Sequence, residues 1–270
     1  MKFSKLLKLK LTLLLTMVCI FLAYGQADLI DDGARHTDSW HGKRYDFYIP
    51  SDPFLSYVTF ELRGADGGWG KVDDCISGGG NGATVTFDIK IGTEEGEVPP
   101  GTLIRFIVGE KGDDYGLRGH DFTGLASGAG GGGTAVLANI DDEWVILGVA
   151  GGGGGAYQGM LFSACIDSRP GEGGRAGTSG GDSTGDYSAD GGSNGQGGEG
   201  GGDKTFDWSD YSGGGGGAFS EGTGNNQLDN DTQELAGKKG LNTGGNGGVS
   251  SRTSGGWGFG GGGAGDQGAG

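Results

Sequence analysis

The sequence predicts an all-β protein, a β-sandwich or jelly-roll, and three observations predict it. Six segments between residues 45 and 150 carry strand patterns, alternating apolar with polar residues or rich in β-branched and aromatic ones. Proline, glycine, asparagine and aspartate punctuate them at short intervals. Beyond the first 25 residues nothing carries the 3.6-residue period of an amphipathic helix.

The strands follow in order. Tyr45 to Ile49 alternates until Pro50 and Pro53 break it, because proline cannot donate to a ladder. Tyr57 to Leu62 comes next. The segment Ala83 to Ile91 sets Val85, Phe87, Ile89 and Ile91 on one face, with Thr84, Thr86, Asp88 and Lys90 on the other. That period of two marks a half-buried antiparallel strand. Thr102 to Val108 is launched from Pro99-Pro100-Gly101. Thr134 to Ala138 and Trp144 to Ala150 form a pair, joined by a turn over Asn139 to Glu143.

The start of the chain speaks to its compartment. Lys2, Lys5, Lys8 and Lys10 precede an apolar run from Leu11 to Leu22, and Ala23-Tyr24-Gly25 supplies small residues at the positions a signal peptidase reads. The run is shorter than the roughly 20 residues that span a bilayer. Cleavage between Gly25 and Gln26 is therefore expected, giving a secreted or cell-surface protein with no membrane span in the mature chain. Cys19 lies inside the apolar run, not after a small-residue box, so it is not a lipid anchor. The mature chain, residues 26–270, reads as one domain, strand-rich over 40–150 and polyglycine-rich over 151–270.

Loss of the leader removes four lysines and takes the net charge from -16 to -20. Such a surface repels phosphate backbones, which disfavours a nucleic-acid partner. Most of this acidity belongs to a solvated surface. The clusters Asp141-Asp142-Glu143 and Asp229-Asn230-Asp231 lack the spaced oxygen ligands and turn glycine of a calcium loop, so no metal is assigned. Cys75 and Cys165 remain after cleavage. In an oxidising compartment they can form one disulfide; the alternative is two separate buried thiols.

Glycine supplies 69 of the 270 residues, with runs at Gly151 to Gly155, Gly213 to Gly217 and Gly260 to Gly263. Three readings compete. Collagen is excluded, since no strict every-third-residue register exists and proline is scarce. Disorder is the ordinary outcome of so much backbone entropy. The third reading is a lattice of polyproline-II-type glycine helices, whose bare backbones approach closely and exchange hydrogen bonds. Composition leaves the last two open, although the interspersed Tyr157, Phe206, Trp208, Tyr211, Phe219 and Trp257 favour order.

These motifs fall in a familiar series. Tyr45 to Pro50 followed by a strand into Arg63 to Gly68 resembles the opening of the glycine-rich domain of the anaplastic lymphoma kinase and leukocyte tyrosine kinase receptors, a domain found also in secreted bacterial proteins. Gly101 to Gly109, Gly131 to Val136, Trp144 to Ala156 and Gly256 to Ala264 continue the likeness across residues 40 to 270. The resemblance implies a tumour-necrosis-factor-like β-sandwich with polyglycine helices inserted between its strands, lying outside the cell and binding protein ligands. The kinase itself is a separate domain, and no His-Arg-Asp loop, Asp-Phe-Gly triplet or nucleotide lysine occurs here. The family's last glycine block leads into a closing strand, whereas this sequence stops at Gly268-Ala269-Gly270, which marks the chain as a fragment or as a fold that closes differently.

Catalytic patterns do not mature. Gly-x-Ser-x-Gly occurs around Ser179 and Ser183, but no strand leads in and no helix follows. His36, His41 and His120 stand outside any triad spacing. Gly-x-Gly-x-x-Gly patterns carry no information in such a background, so no cofactor is expected. No enzyme activity is expected. Trp69, Trp208, Tyr211 and Trp257 are the candidate recognition residues, since aromatics dominate binding hot spots; the alternative is that they wedge into the fold as core or lid. The sequence thus points to a recognition module for a protein or glycan partner, with a structural matrix or spacer protein as the alternative.

Overall fold

Two sheets packed face to face organise the first part of the chain. A computed structural model describes residues 43–117, 123–161, 164–175, 219–221, 240, 244–248, 250 and 253–263, all within one compact unit, Gly33–Gly270. Among these residues the secondary structure is twelve strands and no helix. The first sheet is antiparallel, in the order β1 (Lys43–Tyr48), β6 (Leu103–Val108), β9 (Thr134–Ile140), β10 (Glu143–Ala150). Over it lies the antiparallel pair β2 (Tyr57–Arg63) and β5 (Thr84–Lys90). All six strands expected from the sequence are present.

The period-two pattern translates directly into packing. On the inner face Ile104, Val136, Ala138 and Ala150 of the large sheet meet Phe60 and Leu62 of β2, with Phe87 and Val85 of β5 packed against them. Phe60 stacks on Phe87 at 5.5 Å and tilts against Phe106 at 5.7 Å, while Phe106 stacks on Phe47 at 5.6 Å. On the outer face Ile107, Ala135 and Leu137 are covered by Trp257 and Phe259. Because both faces of β9 are covered, its residues from Thr134 to Ala138 are all buried.

Six further strands were not legible in the sequence. They are short and form two three-stranded sheets: β4 (Cys75–Ser77), β3 (Gly70–Val72), β7 (Tyr115–Leu117), and β12 (Ala164–Arg169), β11 (Tyr157–Leu161), β8 (Thr123–Ser127). Val72, Cys75, Ala126 and Met160 form a small second core between them. The Cys75–Cys165 disulfide ties β4 to β12 across 90 residues of sequence, which settles the open question about these thiols. In the chain-entropy account, closing so long a loop stabilises the fold by about 4–5 kcal/mol.

What lies between the sandwich and the short sheets is glycine. Six connecting segments, residues 64–69, 78–83, 109–114, 128–133, 151–156 and 170–175, each join a strand of one part to a strand of the other or leave from β12. Their amides bond to one another in a period of three. In the segment 128–133, Gly128 and Gly131 donate to the carbonyls of Ala156 and Gly153, Ala129 and Gly132 to those of Asp113 and Glu110, and Gly130 and Gly133 to those of Gly263 and Gly260. One segment therefore bonds to three neighbours in rotation, at 2.8 to 3.0 Å. The same alternation recurs where Gly80 and Ala83 donate to Gly154 and Gly151, and Gly171 and Gly174 to Gly78 and Asn81.

Glycine is required here by contact. A Cβ on Gly153 would overlap the backbone of Gly80, one on Gly67 that of Gly154, and one on Gly132 that of Trp257. Three carboxylates in these segments also serve as acceptors of backbone amides. Asp66 receives the Gly82 amide, Asp114 the Trp69 amide and Asp113 the Ser254 amide. The strand-rich and glycine-rich textures of the sequence thus interleave in space, since four of the six connecting segments precede Ala150.

Candidate recognition surface

The strand directions define two ends of the sandwich. β1 ends at Tyr48 opposite Leu103, the first residue of β6, and Leu103 lies opposite Asn139 near the end of β9. Tyr57 at the start of β2 pairs with Lys90 at the end of β5. The loops 49–56 and 91–102 and the turn 141–142 therefore share one end, and the glycine segments leave from the other.

The loop end is built around two anchored turns. In loop 49–56, Asp52 accepts the amide of Phe54 on its carboxylate and that of Leu55 on its carbonyl, at 2.9 and 3.1 Å. Proline at position 53 suits the first corner of such a turn. Leu55 then drops against the main core while Phe54 points outward, 91% exposed. Ile49 is fully buried behind the turn and bonds through its backbone to Thr102. Tyr48 and Tyr57 flank the turn and are also exposed. Three aromatics thus stand in solvent within ten residues of sequence.

Loop 91–102 is held by Ile91 and Val98, both buried, and by a clasp between the Lys90 ammonium and the Glu97 carboxylate. The pair raises the Lys90 pKa and lowers that of Glu97, chiefly through the hydrogen bond between them. Glu97 also receives the Glu94 amide. The third element is a two-residue hairpin turn in which Asp141 and Asp142 both adopt positive φ, 52° and 65°. Aspartate tolerates that conformation better than most residues, so this cluster serves as a β-turn.

On the outer face of the large sheet, Arg105 makes a two-pronged bond to Asp46, each arm 2.7 Å, and lies 4.2 Å above the Trp144 ring. Hydrogen bonding from Arg105 lowers the Asp46 pKa and raises that of Arg105 in return. This cluster braces β1 against β6 and β10.

The aromatics chosen from the sequence are distributed differently. Trp257 is only 7% exposed, clamped with Phe259 over Ile107 and Leu137, which leaves little of it for a partner. Trp69 is half-buried, its backbone bonded to Asp114 and Tyr115 and its ring against Gly116. Trp208, Tyr211, Gly25 and Gln26 lie outside the described residues, as do the three histidines, Ser179 and Ser183. Tyr48, Phe54 and Tyr57 were missed, although a phenylalanine directly after proline in a short polar interstrand segment was a usable signal.

Among the described residues no three His, Cys, Asp or Glu side chains gather as a metal site, and no helix is long and apolar enough to cross a membrane. No protein-family model and no curated protein matches the chain.

Proposed function

We propose that the chain is an exported recognition module that binds a protein or glycan partner through the Tyr48, Phe54 and Tyr57 end of its sandwich. The observation that carries this reading is the Asp52 turn, which fixes Phe54 almost wholly in water while Leu55 locks the loop to the core. Leaving a large aromatic ring exposed on a pinned loop gives up its burial energy, and rigid aromatics are what binding surfaces use. The leader-like start supports export, and the Cys75–Cys165 bond fits an oxidising compartment.

The finer architecture follows the same reading. The glycine segments are polyproline-II-type helices, an inference supported by the three-residue rotation of their amide partners. The sandwich is a tumour-necrosis-factor-like jelly-roll, supported by a large antiparallel sheet facing the β2–β5 pair. Both features agree with the likeness to the receptor glycine-rich domain. A glycine bundle cross-bonded in several directions also suits a rigid spacer, so a matrix role is the second reading.

Binding of the purified chain to arrays of extracellular proteins and glycans, repeated with Phe54→Ala, tests the proposal. The expected outcome is monodisperse protein with at least one partner lost in the variant at unchanged melting temperature. Concentration-dependent self-association with no array partner would replace recognition by the spacer role.

A further inference from the structure

We infer that the aromatic loop end takes a cationic protein segment, one that presents arginine or lysine side chains. This rests on the recognition reading above and specifies its partner. Loops 49–56 and 91–102 and the turn 141–142 contain six carboxylates, Asp52, Glu94, Glu95, Glu97, Asp141 and Asp142, and no lysine or arginine. Only Glu97 is neutralised by an ion pair, with Lys90. Asp52, Glu94, Glu95, Asp141 and Asp142 are exposed.

The charge and the aromatics select the same ligand. Guanidinium and ammonium groups are attracted both by carboxylates and by the faces of tyrosine and phenylalanine rings. Phe54, Tyr48 and Tyr57 stand exposed at the same end of the sandwich as these carboxylates, which form its acidic rim. The chain already builds that combination once, where Arg105 sits between Asp46 and the Trp144 ring. An anionic glycan or phosphate surface is repelled by the same rim, and a neutral sugar leaves its charge unused. Opposite charges at an exposed rim act chiefly on association rate and partner choice, with a strong salt dependence.

The test uses a labelled arginine nonapeptide and the whole exported chain, because any acidic protein attracts a polycation and the site must be separated from the overall field. Glu94→Gln/Glu95→Gln removes two charges from the rim. Asp73→Asn/Asp74→Asn removes two from the β3–β4 turn at the opposite end. The rim pair and Phe54→Ala are each expected to weaken peptide binding about fivefold, the size of one or two exposed charge contacts, while the Asp73/Asp74 pair changes it less than twofold. Equal losses from both pairs, or none from Phe54→Ala, would overturn the cationic partner. If the peptide result fails while Phe54→Ala still abolishes an array partner, recognition stands with a different ligand. If both fail, the recognition reading fails too.

Discussion

The Phe87 ring on β5 occupies the space that a Cβ on Gly148 of β10 would fill. This pair sets how closely the two sheets approach at that edge. The register of β10 against β9 shifts between Ile146 and Gly148, which turns Gly148 inward opposite Val136. Gly148→Ala should destabilise the fold by about 1–3 kcal/mol, since the Phe87 ring must shift from its stacking on Phe60 to admit the methyl group. Chemical denaturation measures it, and Gly148→Ala combined with Phe87→Leu should recover part of the loss.

Gly153 and Gly78 make a matched comparison. A Cβ at Gly153 meets backbone, which cannot rotate away, whereas a Cβ at Gly78 meets nothing within 4 Å. Gly153→Ala should force segment 78–83 away from 151–156, breaking the bonds of Gly80 and Ala83 to Gly154 and Gly151, and cost several kcal/mol, on the order of the largest single-site effects. Gly78→Ala should be neutral or stabilise by about 0.4–1 kcal/mol through the unfolded chain. Amide exchange at Gly80, Gly131 and Gly153 reports the difference directly.

Reduction of Cys75–Cys165 should lower stability by about 4–5 kcal/mol, or somewhat less if the unfolded chain stays compact. The loss should begin in the short sheets that the bond joins, leaving the β1–β6 ladder protected. Exchange measured with and without reductant distinguishes this order from global unfolding.

The Asp46–Arg105 pair predicts an acid-sensitive contribution. The native pKa of Asp46 lies below its unfolded value of about 3.9. Its stabilisation is therefore fully present above that value and fades as pH falls through the depressed native pKa. Asp46→Asn should flatten this part of the acid limb below about pH 4. Arg105→Lys should lose the two-pronged bond and much of the stacking on Trp144, costing about 1 kcal/mol at neutral pH because the pair is partly solvated.

How far the fold was legible depended on side-chain periodicity. Val85, Phe87 and Ile89 alternate with polar residues, and the same alternation governs which of them face the core. Strands β3, β4, β7 and β8 and strands β11 and β12 are three to six residues long and sit among glycines, so they offered too few side chains for a period to show. The candidate site was only partly legible for a related reason. Trp257 and Phe54 are both aromatic residues outside the alternating strand patterns, but one covers a sheet face and the other stands exposed on a loop. That difference depends on what packs beneath each, and no local pattern contains it.

By itself the sequence determined that the chain is all-β, where its long strands run and that two of its three cysteines lie outside the apolar N-terminal run, because these follow from local chemistry and composition. It left the glycine open between disorder and order. Only the tertiary structure decided that the connecting segments bond to one another in rotation and that Cys75 meets Cys165. Only it, too, placed Phe54 and the acidic loops at one end. Glycine has no side chain with which to signal its neighbours, so its partners are chosen by the strands that bring backbones within reach.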